Sequence, residues 1–392
     1  MTRWVHAIRH GWVVLDRVPG PDVDEFADAA EVVASLAQSP CGDTLLAVQH
    51  PHRTPAALAG RLSLADALPA ARRALDRLRA SAYRPVADVV APYRVDGPDG
   101  QAVGVLCLVD SAAVDPRGRS FVRHSEEIYP QVVAERAAVL AGLDCATSAA
   151  MLVPVRAGQR LTAAVVGSID GLGPPAVSTT DSGGRTHQLW LLGPGPEQDT
   201  VLAAVAGSPL LVADGNHRRA AAAVGDRTAL LALVTAGPAL RIGAIHRALV
   251  GTGLRCEDLA TAWRRVGLAV HEGRGLGSPT QPGSVVARAG GGDLLVALPE
   301  PGPGEPTPRI DHALVERLLI AEALGIDPEG PQVRALPAQR PAGPNVDVVV
   351  QLAAVPFTDV LAVHEQGRQM PRKSTYFTPK PRSGLLLADL TG

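Results

Sequence analysis

Residues 209–223 read PLLVADGNHRRAAAA, and this stretch decides how the rest of the chain is interpreted. The apolar run Leu210–Val212 is typical of a buried strand, Gly215 permits a turn, and the alanines that follow favour a helix. The first N–H groups of a helix have no partner within the helix and lie at the positive end of its dipole. Because two arginines and a histidine stand at the same place, the junction is suited to binding an anion.

The same residues also fit an ordinary turn. In that interpretation Asp214 or Asn216 caps the helix, Gly215 takes a positive φ angle, and the arginines are solvated. The residues of this stretch alone leave both interpretations open.

Composition excludes several classes of protein. Of the 392 residues, 46% are hydrophobic and 19% charged, which is typical of a globular protein with a large core. The formal net charge of −2 and the lack of a block of like charges disfavour nucleic acid as a partner. The four cysteines are far apart and include no metal-ligand cluster, and no apolar run is long enough to span a membrane. We therefore expect reduced thiols, no protein metal site, no membrane partner and a cytoplasmic location.

Helical and strand-like segments alternate along the chain, which predicts a mixed α/β fold. Apolar residues recur at helical spacing in residues 23–37, 64–82, 132–143, 256–266, 312–324 and 359–365. Strand-like runs occupy residues 44–48, 103–109, 150–155, 189–192, 210–213, 229–234, 284–285, 294–298 and 346–352.

Motifs of the commoner catalytic classes are missing from the sequence. It has no Gly-x-x-x-x-Gly-Lys-Ser/Thr loop, no Gly-x-Gly-x-x-Gly after a strand, no His-Glu-x-x-His and no Gly-x-Ser-x-Gly. The turn at residues 213–220 therefore needs a less common explanation.

Four segments together resemble one protein family. Residues 213–218, ADGNHR, resemble the Ala-Asp-Gly-His-His-Arg signature of the bacterial and archaeal domain-of-unknown-function family 1015. Residues 125–136, SEEIYPQVVAER, align without a gap to its His-Glu-x-x-x-Pro-x-x-x-x-Asp-Arg segment. Residues 240–247, LRIGAIHR, and residues 370–380, MPRKSTYFTPK, follow in the family's order. The resemblance extends from about residue 43 to residue 392.

The same order of segments is similar to the core of free-serine kinases, which share a fold with the nucleotide-binding domain of ParB proteins and with sulfiredoxins. The resemblance implies an N-terminal α/β segment (1–100), a ParB/sulfiredoxin-like nucleotide-binding core (101–250) and a C-terminal α/β segment (251–392). It also implies binding of ATP or ADP with Mg²⁺, and transfer of a phosphoryl group to a small hydroxyl compound, with free L-serine as the leading acceptor.

Carried over by position, the resemblance assigns a role to each motif residue. Glu126 becomes the general base, and the phosphate turn consists of Asp214, Gly215, Asn216, His217 and Arg218. The alternative for Glu126 is an exposed glutamate in the first turn of a helix, where the dipole favours it. Two positions depart from the kinase pattern: Ser125 replaces the histidine before the base, with His124 one place earlier, and Asn216 replaces the first histidine of the turn.

Donors and cations are also concentrated in residues 370–380. We expect this segment to fold back on the site, so that Lys373, Ser374, Thr375 and Lys380, together with Arg136, contact phosphate or substrate. The alternative is a strand and turn with exposed basic side chains.

Two hypotheses for function follow from the motifs. In the first, the protein is a small-molecule kinase; in the second, it is a non-catalytic nucleotide-binding or regulatory protein of the same fold. Sulfiredoxin chemistry is excluded because it needs a cysteine in the turn, where this chain has Asn216. A ParB-like role on DNA is disfavoured by the charge balance.

Overall fold

The structure, a computed structural model, describes residues 4–22, 29–38, 43–224, 228–238, 240–302 and 304–391. It divides into two compact units. Unit 1 consists of Met1–His124, Ile128–Leu240 and Pro379–Gly392, and unit 2 of Ser125–Glu127 and Arg241–Thr378. Both units combine helices with sheets, so the mixed α/β class is confirmed. The division at residues 100 and 250 stays a prediction.

Unit 1 is built on a large mixed sheet and a smaller antiparallel one. Its helices are α1 (Ala29–Gln38), α2 (Leu45–Gln49), α3 (Pro55–Ala59), α4 (Leu64–Ala82), α5 (Pro130–Leu143), α6 (Gly158–Asp170), α7 (Pro196–Ala206) and α8 (Asn216–Val224). Its strands are β1 (Val5–His6), β2 (Ile8–Val14), β3 (Tyr83–Val89), β4 (Ala91–Gly97), β5 (Gly100–Asp110), β6 (Val122–Arg123), β7 (Cys145–Ala146), β8 (Ala150–Pro154), β9 (Val177–Thr180), β10 (Thr186–Leu189), β11 (Leu210–Asp214), β12 (Ala229–Pro238) and β21 (Leu386–Asp389).

The large sheet has the order β6-β11-β8-β12-β5-β4-β10-β9, with β1 also paired to β5, and the small one has the order β3-β2-β21-β7. Strand β5 crosses the centre of the large sheet. Its side chains alternate between two cores: Val105 and Val109 pack with α6 and α7 residues, whereas Leu106 and Leu108 pack with α4 residues on the other face. Both faces of the sheet are therefore buried at this strand, and the continuous apolar run at 103–109 reflects that.

Unit 2 contains α9 (Cys256–Arg265), α10 (Asp311–Leu314), which continues as a wider π-helical segment (Val315–Glu322), and α11 (Phe357–Glu365). Its strands are β13 (Arg241–Gly243), β14 (Ile245–Val250), β15 (Val270–Gly273), β16 (Ser284–Ala289), β17 (Gly292–Ala297), β18 (Val333–Pro337), β19 (Val346–Gln351) and β20 (Tyr376–Thr378). Six of them form the sheet β15-β17-β16-β19-β14-β18, and β13 pairs with β20. A core of aliphatic residues around the buried Trp263 fills the space between this sheet and the helices.

Most predicted elements agree with these bounds. The helix expected at 64–82 is α4, and the strand expected at 210–213 is β11. The helix expected at 23–37 corresponds in part to α1, since residues 23–28 lie outside the described ones. Among the cysteines, Cys107, Cys145 and Cys256 are free and buried, whereas Cys41 lies outside the described residues.

Two strand predictions are corrected by the structure. Residues 44–48 were expected as a strand, but they begin helix α2, because the Thr44 hydroxyl accepts a hydrogen bond from the Ala47 N–H and caps the helix. The run at 189–192 overlaps a strand only at Leu189, where β10 ends.

Candidate functional site

The turn between β11 and α8 has the geometry that its sequence requires. Strand β11 ends at Asp214, Gly215 has φ +96°, and α8 begins at Asn216. A Cβ atom at Gly215 would lie 2.7 Å from Arg218 Nε and 3.1 Å from Ala150 Cβ. Glycine is therefore required twice, for the positive φ and for the close approach of Arg218.

Asp214 lies between two cations. Its Oδ2 pairs with Arg218 Nη2, and its Oδ1 accepts a hydrogen bond from Lys380 Nζ at 2.7 Å. The side chains of Asp214 and Arg218 are each only 24% exposed, and that of Lys380 is 16% exposed. Because one carboxylate faces two cations, the turn keeps a net positive charge beside the N-terminus of α8.

Arg218 is also fixed from the other side. Its Nη1 donates to Ser148 Oγ and, at 2.8 Å, to the carbonyl oxygen of Ala149, just before strand β8. These bonds hold the guanidinium against the loop that precedes β8. Ser148 was not among the residues expected from the sequence, and no motif marks it.

His217 stacks on Tyr129, with ring centroids 5.9 Å apart and planes inclined by 2°. The backbone N–H of Tyr129 donates to His217 Nε2 at 3.0 Å. A nitrogen that accepts carries no proton, so the ring is neutral with its proton on Nδ1. His217 therefore brings a hydrogen-bond donor to the turn rather than a full positive charge.

Asn216, which departs from the kinase pattern in this turn, contacts His124, the histidine one place before the departing Ser125. His124 Nδ1 lies 3.3 Å from Asn216 Oδ1, and Arg219 Nη1 donates to His124 Nε2 at 2.9 Å. Arg219 also donates to the carbonyl oxygen of Ser111 and to Ser120 Oγ. Since Nε2 accepts, the proton of His124 is on Nδ1 and is donated to Asn216. Burial, together with the charge of Arg219, lowers the pKa of His124 to about 4, which keeps the ring neutral near pH 7.

Within unit 2, Glu126 binds the segment that the sequence places near residue 373. Glu126 Oε2 accepts from the Lys373 N–H at 3.2 Å. Glu126 Oε1 accepts from the Ser374 N–H at 3.2 Å, the Thr375 N–H at 3.1 Å and the Thr375 hydroxyl at 2.8 Å. Three successive backbone N–H groups that converge on one carboxylate form an anion-binding nest. We call residues 373–375 the backbone nest.

The carbonyl side of the same segment is held by Arg247, which is 2% exposed. Its Nη1 and Nη2 donate to the carbonyl oxygens of Lys373 and Arg372, at 3.1 and 3.0 Å, and its Nε donates to Glu316 at 2.6 Å. Lys373 has φ +50°, a left-handed backbone that few non-glycine residues adopt. An anion on the amides and a cation on the carbonyls together hold this strained turn in place.

The structure thus sorts the predicted site residues into two groups. Unit 1 brings together Asp214, Gly215, Arg218 and Lys380, with Asn216 and His217 on the same turn and Arg136 lining a cavity that Arg218 also lines. Unit 2 brings together Glu126, Lys373, Ser374 and Thr375. The described residues include no group of three His, Cys, Asp or Glu side chains that converges to hold a metal ion. In the same ranges, no helix combines the length and the apolar character needed to cross a membrane.

A family model described as "Protein of unknown function (DUF1015)" matches residues 90–300, which is more than half of the chain. The chain belongs to this family. The DUF1015 match includes the Glu126 segment and the whole β11–α8 turn, so the resemblance seen in the motifs is confirmed. No curated protein matches the chain.

Among solved structures, SbnI with a C-terminal truncation, from Staphylococcus aureus, is similar with 13% identity and a TM-score of 0.42, covering 72% of this chain and 87% of SbnI. A conserved hypothetical protein from Pyrococcus furiosus has 10% identity and a TM-score of 0.38, with 67% and 90% of the two chains covered. A free serine kinase in complex with AMP has 12% identity and a TM-score of 0.35, with 67% and 88% covered. All three likenesses are distant.

Proposed function

We propose that this DUF1015 protein is a small-molecule kinase that transfers a phosphoryl group from ATP or ADP to the hydroxyl of a free amino acid, with L-serine as the leading acceptor. The observation that carries the proposal is the β11–α8 turn at the N-terminus of a helix. There the two positive charges of Arg218 and Lys380 exceed the one negative charge of Asp214. Such a turn favours phosphate oxygens through both its N–H groups and its charge.

Each residue of the turn has a role in the proposal. The first N–H groups of α8 and the side chain of Arg218 bind phosphate oxygens, and Gly215 lets them approach closely. Lys380 keeps Asp214 from repelling the phosphates. His217 is held against Tyr129, whose backbone N–H donates to its Nε2.

A nucleotide bound there would supply the terminal phosphoryl group, and Mg²⁺ would offset its charge. Because the described residues hold no three-ligand metal group, we expect phosphate oxygens and water to provide most of the Mg²⁺ ligands. The hydroxyl oxygen of the acceptor forms a bond to the terminal phosphorus of the nucleotide, and the bond from that phosphorus to the bridging oxygen breaks. Glu126 accepts the proton that the hydroxyl loses in this step. The assignment of Glu126 follows its position in the family segment.

One observation favours the second candidate, a nucleotide-binding protein without catalysis. Both oxygens of Glu126 already accept hydrogen bonds from the backbone nest and the Thr375 hydroxyl. A carboxylate that accepts four hydrogen bonds from one segment is a good structural anchor, a role that requires no turnover.

Turnover distinguishes the two candidates. The purified protein is incubated with L-serine, Mg²⁺ and either ATP or ADP, and phosphoserine is measured. We expect product with one of the two donors, and a loss of roughly 100- to 10,000-fold in Glu126→Gln, as for removal of a general base. The matched control is Glu127→Gln, since Glu127 is the next residue, is exposed, and lies 3.5 Å from Arg372.

No product with either donor across a panel of hydroxy amino acids would contradict the kinase. Calorimetry would then decide for the non-catalytic candidate if ADP binds the wild type and Glu126→Gln equally and does not bind Arg218→Ala.

A further inference from the structure

A cavity of about 70 Å³ lies in unit 1, between α5, α8 and the start of β12. This volume has room for roughly five to seven water-sized groups. Its walls are mostly apolar, from residues such as Val139, Leu140 and Leu230. Its polar lining residues are Gln49, Arg136, Thr147, Ser148 and Arg218. The cavity is therefore the size of a small metabolite or of one end of a larger one.

The charged lining of this cavity has one sign. It includes Arg136 and Arg218, and none of the lining residues that the structure describes is an aspartate or a glutamate. Arg218 pairs with Asp214, and Arg136, on α5, is the second arginine of the lining. Apolar walls lower the local dielectric constant, which strengthens the attraction between these cations and an anion.

The neutral polar groups of the lining are fixed by hydrogen bonds. Gln49 is 5% exposed, and its Nε2 donates to Thr147 Oγ1 at 3.2 Å. Ser148 Oγ accepts from Arg218 and lies 3.0 Å from Ser383 Oγ. These bonds hold the side chains that surround a bound anion, so a ligand would find the cavity largely formed.

We infer that this cavity binds the carboxylate of the phosphoryl acceptor, and that the acceptor is a short hydroxycarboxylic acid. A guanidinium pairs with a planar carboxylate through two parallel hydrogen bonds, and the apolar walls suit the short carbon chain. The described lining residues include no carboxylate that could pair with an ammonium group. Glycerate, which has a hydroxyl in place of the amino group of serine, therefore binds at least as tightly as serine. The inference rests on the proposed kinase function only in naming the ligand as the acceptor.

Binding without nucleotide tests the cavity. The full chain is titrated by calorimetry with L-serine, D-glycerate, ethanolamine, which lacks the carboxylate, and inorganic phosphate. We expect the two acids to bind and ethanolamine not to bind. Arg136→Gln should weaken both acids by about 10- to 100-fold, the range for a hydrogen-bonded charge pair. Arg160→Gln, at an exposed position of α6, should leave their binding unchanged.

A second variant narrows the cavity without changing its charge. Ala229→Val adds two methyl groups at a lining residue where β12 begins, and a β-branched residue suits a strand. We expect it to weaken both acids while circular dichroism and the melting temperature show that the fold is kept.

Four results would overturn the inference: ethanolamine binding as tightly as the acids, neither acid binding, both Arg136→Gln and Ala229→Val binding the acids like the wild type, or Arg136→Gln changing the binding of phosphate alone. If Arg136→Gln leaves phosphate binding unchanged, the phosphate is assigned to the β11–α8 turn and the inference stands. If Arg136→Gln weakens the binding of phosphate but not that of the two acids, the inference is contradicted. Failure of the kinase is separate: acids that bind as expected without phosphoryl transfer contradict only the proposed function.

Discussion

Asp214 in unit 1 and Glu126 in unit 2 are both carboxylates surrounded by donors, but the donors differ in kind. Asp214 pairs with the side chains of Arg218 and Lys380. Glu126 accepts from the backbone N–H groups of residues 373–375 and from one hydroxyl. Side-chain cations leave a net positive charge at the turn, whereas amides satisfy a carboxylate without adding a unit charge. The first arrangement is suited to attracting an anion, and the second to holding a segment in place.

The difference also decides how each region responds to substitution. A cation of the turn is removed by changing one residue. The nest persists when its side chains change, because its main donors belong to the backbone. Only the Thr375 hydroxyl and Glu126 itself are open to replacement.

Arg218→Gln should have the largest effect, because it removes one of the two positive charges that together exceed the negative charge of Asp214 at the turn. We expect the affinity for ADP to fall by roughly 100-fold, about 3 kcal/mol, which is the value of one or two hydrogen bonds to a charged group. Calorimetry with the folded variant measures this loss. Arg218→Lys, which keeps the charge and loses the bonds to Ser148 and Ala149, should lie between the variant and the wild type. Equal affinity in all three proteins would show that the turn is not a phosphate site.

Glu126→Gln should lower stability without changing nucleotide binding. The amide group of glutamine would meet the Lys373 N–H, donor against donor, so we expect the free energy of unfolding to fall by about 1–3 kcal/mol in urea. Thr375→Val removes one donor of four and should cost about 1 kcal/mol.

The two variants of the nest have a matched control in Glu127→Gln, where little change is expected because exposed ion pairs contribute little. Wild-type stability in both Glu126→Gln and Thr375→Val would mean that the nest does not hold the segment, and the contrast with Asp214 would disappear.

A separate effect, confined to acidic pH, concerns the pH dependence of stability. The pKa of His124 is about 4 in the folded protein, against an ordinary value of 6.5. Between these values the unfolded chain binds a proton that the folded protein does not, so stability falls as the pH drops from about 6.5 towards 4. His124→Gln, which keeps an acceptor for Arg219 and a donor for Asn216, should reduce this slope by up to about 1.4 kcal/mol per pH unit.

Urea unfolding at pH 5 and pH 7 measures the slope for wild type and variant. Part of it will remain in the variant, because burial also lowers the pKa values of His50 and His312, each to about 3. An unchanged slope in His124→Gln would contradict the neutral His124 that links Arg219 to Asn216.

Local signals predicted the long elements well. Helix α4 begins and ends as its periodicity indicates, because Ser63 and Asp66 form a capping box and the apolar residues occur at helical spacing. Strands β5 and β12 were recognisable because they are buried on both faces. The strand prediction at residues 44–48 is wrong because a run of four apolar residues does not distinguish a short helix from a strand, and the capping hydroxyl of Thr44 favours the helix.

The site could be predicted only in part. The β11–α8 turn was recognisable from local chemistry, and the family motifs identified Glu126 and residues 373–380 as residues of interest. The partners of these residues were not predictable, since the Lys380–Asp214 contact spans 166 positions and the Glu126–Thr375 contact spans 249. Sequence spacing carries no information about such contacts, and residues such as Ser148 have no local signature.

The position of strand β21 in the small sheet has a consequence for biosynthesis. Residues 386–389 lie between β2 and β7, so the sheet lacks an inner strand until this part of the chain has left the ribosome. Lys380, which offsets part of the negative charge of Asp214, is translated with the same segment. A nascent chain that has been translated as far as residue 378 thus has every residue of unit 2 but only an incomplete unit 1. The turn therefore gains the charge of Lys380 only after residues 379–392 have been translated, and a chain terminated before them would carry the β11–α8 turn without that charge.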